Sequence, residues 1–214
     1  MFILDFSELN NIKLRKVADK NEMQVTGLPA NPKISNILWS PNDKKILFSN
    51  TIATGVEMWV LDVASAKAVK LTDASVNANL GTPFSWFNDN ETILVKMLPK
   101  NRAALLDSKK DLPTGPIISN SAGAKSQNRT YPDMLKNQND EINFENIITS
   151  ELYKVTLDGK ASLFKSAAMF AGERISPDGN YVMITTIQKP FSYIVPINRF
   201  PSKTVVYDKN GLEI

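Results

Sequence analysis

Leu38-Trp39-Ser40-Pro41-Asn42-Asp43-Lys44-Lys45-Ile46-Leu47-Phe48 sets out a short apolar strand, a polar turn and a β-rich strand. The same order returns as Ser85-Trp86-Phe87-Asn88-Asp89-Asn90-Glu91-Thr92-Ile93-Leu94-Val95, and again as Arg174-Ile175-Ser176-Pro177-Asp178-Gly179-Asn180-Tyr181-Val182-Met183-Ile184. The turns Ser40-Pro41-Asn42-Asp43 and Ser176-Pro177-Asp178-Gly179 have a mechanism: proline presets φ, and Asp or Gly tolerates the left-handed position. Each copy therefore reads as a β-hairpin.

A second pattern, an alternating strand, a tight turn and another strand, occurs four times: 12–26, 57–72, 151–165 and 204–214. Glu57-Met58-Trp59-Val60-Leu61-Asp62-Val63 and Glu151-Leu152-Tyr153-Lys154-Val155-Thr156-Leu157 are corresponding strands, and Asp158-Gly159 and Lys209-Asn210-Gly211 are hairpin turns. The two patterns joined make a four-stranded unit, and a repeat of about 40 to 50 residues matches a propeller blade. The expected fold is all-β: a partial β-propeller of about three and a half four-stranded blades within 1–214, namely a half blade at 12–26 and blades at 34–73, 83–165 and 173–214. A β-sandwich also carries many short strands, but does not call for the recurring Ser-Pro-Asp turn. Because the chain opens on an outer hairpin and ends within a strand, more blades are expected on both sides.

One unit carries a long loop and helix insertion at 99–146, rich in Pro, Asn, Ser and Lys. Its second half has helix signals. Thr130 caps a turn beginning near Pro132, and Asn139 caps another with Asp140 and Glu141 in its first turn. Phe144, Ile147 and Ile148 would pack this segment down. Long loops on a rigid scaffold often carry function; the alternative is a surface decoration.

Composition excludes much chemistry. The 214 residues contain no cysteine and no histidine, so disulfides, thiolate or histidine metal sites and a Ser-His-Asp triad are ruled out. No Gly-x-Ser-x-Gly, P-loop or dinucleotide fingerprint occurs, and no cofactor is expected. Ser162-Leu163-Phe164-Lys165 has Ser-x-x-Lys spacing, but that dyad needs a helix and this segment reads as a strand. A net charge of +3 is too small and evenly spread to point to nucleic acid. No run of about 18 apolar residues offers a membrane span. Trp39, Trp59 and Trp86 fall at strand positions and read as core.

Three segments carry a resemblance. The first is Leu112-Pro113-Thr114-Gly115-Pro116, followed by Arg129-Thr130-Tyr131-Pro132-Asp133-Met134-Leu135-Lys136-Asn137 and Asp140-Glu141. The second is Thr149-Ser150-Glu151-Leu152. The third, and most specific, is Pro190-Phe191-Ser192-Tyr193-Ile194-Val195-Pro196, continuing to Arg199-Phe200-Pro201. They resemble the glutamyl endopeptidase branch of the prolyl oligopeptidase family of serine peptidases. Two departures stand out: Lys189 where the family has Arg before Pro-Phe-Ser-Tyr, and Pro132 where it has Gln.

The resemblance implies a parent enzyme that cleaves peptides after acidic residues, whose non-catalytic propeller caps an α/β-hydrolase domain and restricts entry to small or unfolded peptides. That catalytic domain is absent from these 214 residues, so the chain alone is expected to be inactive. Its implied partners are the remaining blades, the hydrolase domain and a peptide substrate. Bacterial relatives of this type are often exported, which points to a periplasmic parent. A substrate carboxylate calls for arginine with its bidentate fork; Arg129 and Arg199 are the candidates, and Tyr131 and Tyr193 would orient substrate or pack the motif. The alternative is that these arginines brace loops. A different class of reading is a standalone or self-associating binding module without enzymatic activity.

Overall fold

The computed structural model describes residues 9–16, 18, 21–107 and 134–214. Thirteen strands form four antiparallel sheets among them. β1 (Lys13–Arg15) and β2 (Glu22–Gln24) make a two-stranded sheet. β3 (Ile34–Trp39), β4 (Lys45–Ile52), β5 (Gly55–Asp62) and β6 (Lys67–Lys70) form a four-stranded meander. β7 (Phe84–Trp86), β8 (Thr92–Met97), β9 (Ser150–Thr156) and β10 (Ala161–Ala168) form a second. β11 (Phe170–Ile175), β12 (Tyr181–Ile187) and β13 (Ser202–Asp208) form a three-stranded sheet. The all-β reading holds. The last unit differs from the four strands expected of it: after β13 the Asn210-Gly211 turn folds the chain back, but the return is only a single bridge between Tyr207 and Glu213.

The three Ser-Pro-type turns share one geometry. Asp43, Asn90 and Gly179 occupy equivalent positions with φ of 57°, 62° and 74°. Their backbone N–H groups donate to the carbonyls of Ser40, Phe87 and Ser176 at 2.9, 3.3 and 2.8 Å. The Ser40 and Ser176 hydroxyls accept from the N–H groups of Lys45 and Tyr181, both at 2.9 Å, which closes each hairpin. In the middle copy Phe87 has no hydroxyl. There the Asp89 carboxylate accepts from the N–H of Thr92 at 2.8 Å.

Successive sheets stack face to face. In β4, Leu47 faces forward onto Met58, Trp86, Ile93 and Val155, while Ile46 and Phe48 face back onto Leu14, Ile34 and Leu61. In β8, Ile93 and Val95 face back, and Leu94 faces forward onto Leu152, Phe170, Val182 and Ile184. A strand covered on both faces reads as an unbroken apolar run instead of an alternating one. First strands of neighbouring sheets, β7 and β11, approach one another, as in the converging inner strands of propeller blades. The outward face of the last sheet is open, with Tyr181, Met183 and Val206 exposed.

The tryptophans separate. Trp86 is buried and Trp59 stacks on Phe48 at 6.2 Å, but Trp39 is 48% exposed, contrary to its reading as core. Trp39 pairs with Ile46 on the side facing the two-stranded sheet, and β1 and β2 are too short to cover it.

Gly27 enforces one crossing. Its φ is +74°, and a Cβ there would lie 2.5 Å from the carbonyl oxygen of Ala68. Gly27→Ala should cost at least about 1–2 kcal/mol from the left-handed backbone alone, seen as a lower urea midpoint with an unchanged slope.

Candidate functional site

In a meander sheet the connections alternate between ends. The Ser-Pro-type turns lie at one end. The β4–β5, β8–β9 and β12–β13 connections lie at the other, together with the crossovers from one sheet to the next. The long β8–β9 insertion and the β12–β13 connection carrying Pro190-Phe191-Ser192-Tyr193 therefore meet at one end of neighbouring sheets.

The insertion ends in helix α1 (Gln138–Ile148). Its N-cap is Asn137 and not Asn139: Asn137 is extended, and its side chain accepts from the N–H of Asp140 at 2.9 Å. Asn139 instead lies in the first turn, where Asp140 and Glu141 complement the helix dipole. The C-terminal carbonyls, which lack intrahelical partners, are met by the buried Asn77, whose amide donates to the carbonyls of Ile147 and Thr149, both at 3.0 Å. Arg102 Nε donates to the Asn146 carbonyl at 2.9 Å.

Phe144, Ile147 and Ile148 do face inward, onto Leu80, Ile187, Phe191 and Phe200. Phe144 meets Phe191 edge-on at 5.1 Å and Phe200 edge-on at 5.8 Å, and Phe191 stacks on Phe200 at 5.5 Å. Two polar ties flank the rings. Lys189 Nζ lies 2.6 Å from Glu145 Oε2. The Tyr193 hydroxyl donates to Glu141, and that bond, with burial and the nearby negative charge, holds the phenol above its usual range. The lysine that departs from the family pattern thus has a partner on α1.

Arg199 closes the 3-10 turn Ile197–Arg199. It is exposed, and its guanidinium makes no hydrogen bond or ion pair with the described residues. The structure brings Tyr193 onto α1 and leaves Arg199 free at the surface; Arg129, Tyr131 and the turn expected near Thr130 and Pro132 lie outside the described residues. Between the end of the insertion and the β12–β13 connection a cavity of about 220 Å³ is lined by Met134, Leu135, Phe144, Val195, Pro196, Ile197 and Phe200.

Beneath this face lies an ion pair that sequence patterns did not mark. Lys96 Nζ sits 3.1 Å from Glu173 Oε2 across neighbouring sheets, with side chains only 3% and 7% exposed. Lys96 also donates to the Leu80 carbonyl at 3.0 Å, whereas Glu173 Oε1 has no hydrogen-bond partner. Alternation along β8 and β11 shows two charged residues at strand positions, but not that they face each other. Asn77 was likewise invisible, because its role depends on a helix 70 residues away.

No helix is long and apolar enough to cross a membrane among the described residues. No family model matches the chain. It is 33% identical over 200 residues to "Probable glutamyl endopeptidase, chloroplastic" of Oryza sativa subsp. japonica, covering 89% of this chain and 21% of that protein. The Arabidopsis thaliana protein of the same description is also 33% identical, with 20% of its length covered. The chain therefore spans about a fifth of the length of these relatives. Among solved structures it is similar in fold to an acylaminoacyl peptidase of Pyrococcus horikoshii, with a TM-score of 0.52 and 14% identity over 94% of this chain and 27% of that one. The tricorn protease gives a TM-score of 0.51 and 11% identity, over 88% of this chain and 15% of that one. Both likenesses support the propeller-like arrangement of the sheets.

Proposed function

From the premise that this chain is homologous to one segment of the glutamyl endopeptidases, we propose that it forms the non-catalytic propeller part of such a peptidase, shaping the access of peptide substrates to an α/β-hydrolase domain. One observation carries this reading. The motifs that resemble the family lie nearly 40 residues apart in sequence, at 140–152 and 190–201, yet pack into a single structure at one end of the sheets. The Phe144, Phe191 and Phe200 rings and the Glu145–Lys189 and Glu141–Tyr193 ties join them. Such a unit, built on loops but pinned by a rigid sheet, is suited to hold a fixed rim around an opening.

In this reading Arg199 and Tyr193, in the β12–β13 connection, stand at the face that meets substrate, and Arg129 and Tyr131 belong to the insertion that ends in α1. Catalysis belongs to a domain carrying the serine and histidine, since a histidine-free chain has no base for a triad.

The test is made in the full-length peptidase. Phe144→Ala removes the ring that holds α1 against the neighbouring connection. Cleavage of a long unfolded substrate should rise by about fivefold relative to a short chromogenic peptide, the change that about 1 kcal/mol of lost docking produces. An unchanged ratio, with short-peptide turnover intact, would remove the access role from this face.

A further inference from the structure

After β8 the chain runs out through residues 98–106 without strand or helix, and Met134 to Asn137 lead back into α1. Apolar burial does not hold the outgoing arm, because Leu105 and Leu106 are 51% and 37% exposed. Its backbone is met by a side chain instead. Asn143 Oδ1 accepts from the Leu106 N–H at 2.7 Å, and Asn143 Nδ2 donates to the Leu106 carbonyl at 2.9 Å. One amide thus satisfies both main-chain groups of one residue, as a neighbouring strand would. Only one orientation of that amide does so; turned over, it would set donor against donor and acceptor against acceptor.

The returning arm is fixed on the same helix. The Lys136 N–H donates to Asp140 Oδ2 at 2.8 Å. Asp140 and Asn143 are three residues apart and so share one face of α1. Near the end of the helix the Asn146 carbonyl takes the outgoing arm again, through Arg102 Nε. Another face carries Phe144, Ile147 and Ile148 into the cluster with Phe191 and Phe200. Helix α1 is therefore a spine: its apolar face seats it on the sheets, and its polar groups take both arms of the insertion.

We propose that Asn143 is a positioning residue: it staples the outgoing arm of the insertion to α1, and this staple fixes the rim that governs the access of long peptides. The inference rests on the reading that this face controls access. Asn143 acts through the backbone of the arm and not on substrate. A segment with exposed leucines and no ladder partner belongs to the parts of a fold that open locally, so its place depends on the few polar bonds that hold it.

Hydrogen–deuterium exchange on the 214-residue chain reads the staple. Asn143→Ala removes both bonds, and alanine is the better helix former, so α1 itself is not weakened. The Leu106 amide is expected to exchange about tenfold faster, the scale of two lost hydrogen bonds on a partly exposed segment. Amides of Gln138–Ile148 should keep their protection. Asn143→Asp keeps the acceptor for the Leu106 N–H but turns a carboxylate oxygen towards the Leu106 carbonyl, so it should free the arm as well. In the full-length peptidase, Asn143→Ala should raise cleavage of a long unfolded substrate about threefold relative to a short chromogenic peptide, less than Phe144→Ala because the helix stays docked. The gain should come as a lower KM for the long substrate, with kcat for the short peptide unchanged. Unchanged exchange at Leu106 in either variant, or loss of protection throughout α1 in Asn143→Ala, overturns the staple. Faster exchange with an unchanged cleavage ratio, where Phe144→Ala raises it, overturns the positioning role and leaves the access role standing. If neither Asn143→Ala nor Phe144→Ala moves the ratio, the access role falls and the positioning role falls with it.

Discussion

Lys96→Ala is expected to lower the stability of the folded chain by about 3–5 kcal/mol near neutral pH, because it leaves a buried carboxylate with no counter-charge. Glu173 gains nothing else in compensation, since its Oε1 has no hydrogen-bond partner. Burial already pushes the Glu173 carboxyl above its ordinary 4.5, and Lys96 offsets only part of that push. A carboxyl with a raised pKa holds its proton more tightly in the folded state. Its stabilising effect is complete below the unfolded value and is lost as pH rises through the folded value. Removing Lys96 raises the folded value further and widens that window. The loss from Lys96→Ala should therefore be smaller near about pH 4 and grow towards neutral pH. Urea unfolding at a series of pH values reads this directly; a loss independent of pH would show that lost packing, and not a stranded charge, dominates. Replacing the pair together, Lys96→Met with Glu173→Leu, should come back to within about 1–2 kcal/mol of the parent, since apolar isosteres avoid the desolvation of both ions.

Glu57 shows that burial alone does not raise a carboxyl. Burial pushes it up as well, but hydrogen bonds from Asn50 and Trp59 and the charge of Lys70 outweigh it, and the net direction is down. The Asn50 and Trp59 donors lie 3.0 and 2.9 Å from Oε2. Glu173 lacks such neutral donors, which is why its stability contribution depends so strongly on one lysine.

The second large effect is expected at Phe200. This buried ring touches both Phe144 on α1 and Phe191 in the β12–β13 connection. Phe200→Ala should cost about 3 kcal/mol, at the lower end for a buried phenylalanine because the site lies at the end of the sheets and can partly collapse. The damage should also be local. Amides of α1 are expected to exchange much faster with deuterium, while those of β4, β8 and β12 keep their protection, because the sheet cores rest on other side chains. Uniform loss of protection would mean that helix docking and sheet stacking form one cooperative unit. Phe200→Leu, which keeps most of the volume, should retain most of the α1 protection.

Local chemistry was legible in the residues. The two Ser-Pro turns predicted left-handed positions, and Asp43 and Gly179 occupy them; Asn90 takes the same conformation in the middle copy, which has no proline. The strand-versus-helix reading of Ser162 to Lys165 also holds, for both lie on β10 and share no helical face. These are properties of two to five neighbouring residues, set by backbone sterics and side-chain reach. The helix start was legible to within one turn. Asn137 and Asn139 are the same residue type, and the choice between them depends on where the preceding chain becomes extended, which no local pattern states.

Only the tertiary structure decided which strand faces are covered and which distant segments meet. Trp39 and Trp86 occupy matching places in repeated hairpins, yet one is half exposed and the other buried, because burial depends on the sheet stacked against it. Lys96 and Glu173 read as ordinary charged strand residues until neighbouring sheets close over both. The Pro-Phe-Ser-Tyr segment was recognisable as a motif, but its contact with α1 arises from the alternation of connections between the two ends of a meander. The sequence by itself thus determined the turns, the strand repeat and the absence of a triad, all short-range or compositional. The stacking of sheets, which operates over tens of residues, decided the buried ion pair, the aromatic clamp and the cavity between the insertion and the β12–β13 connection.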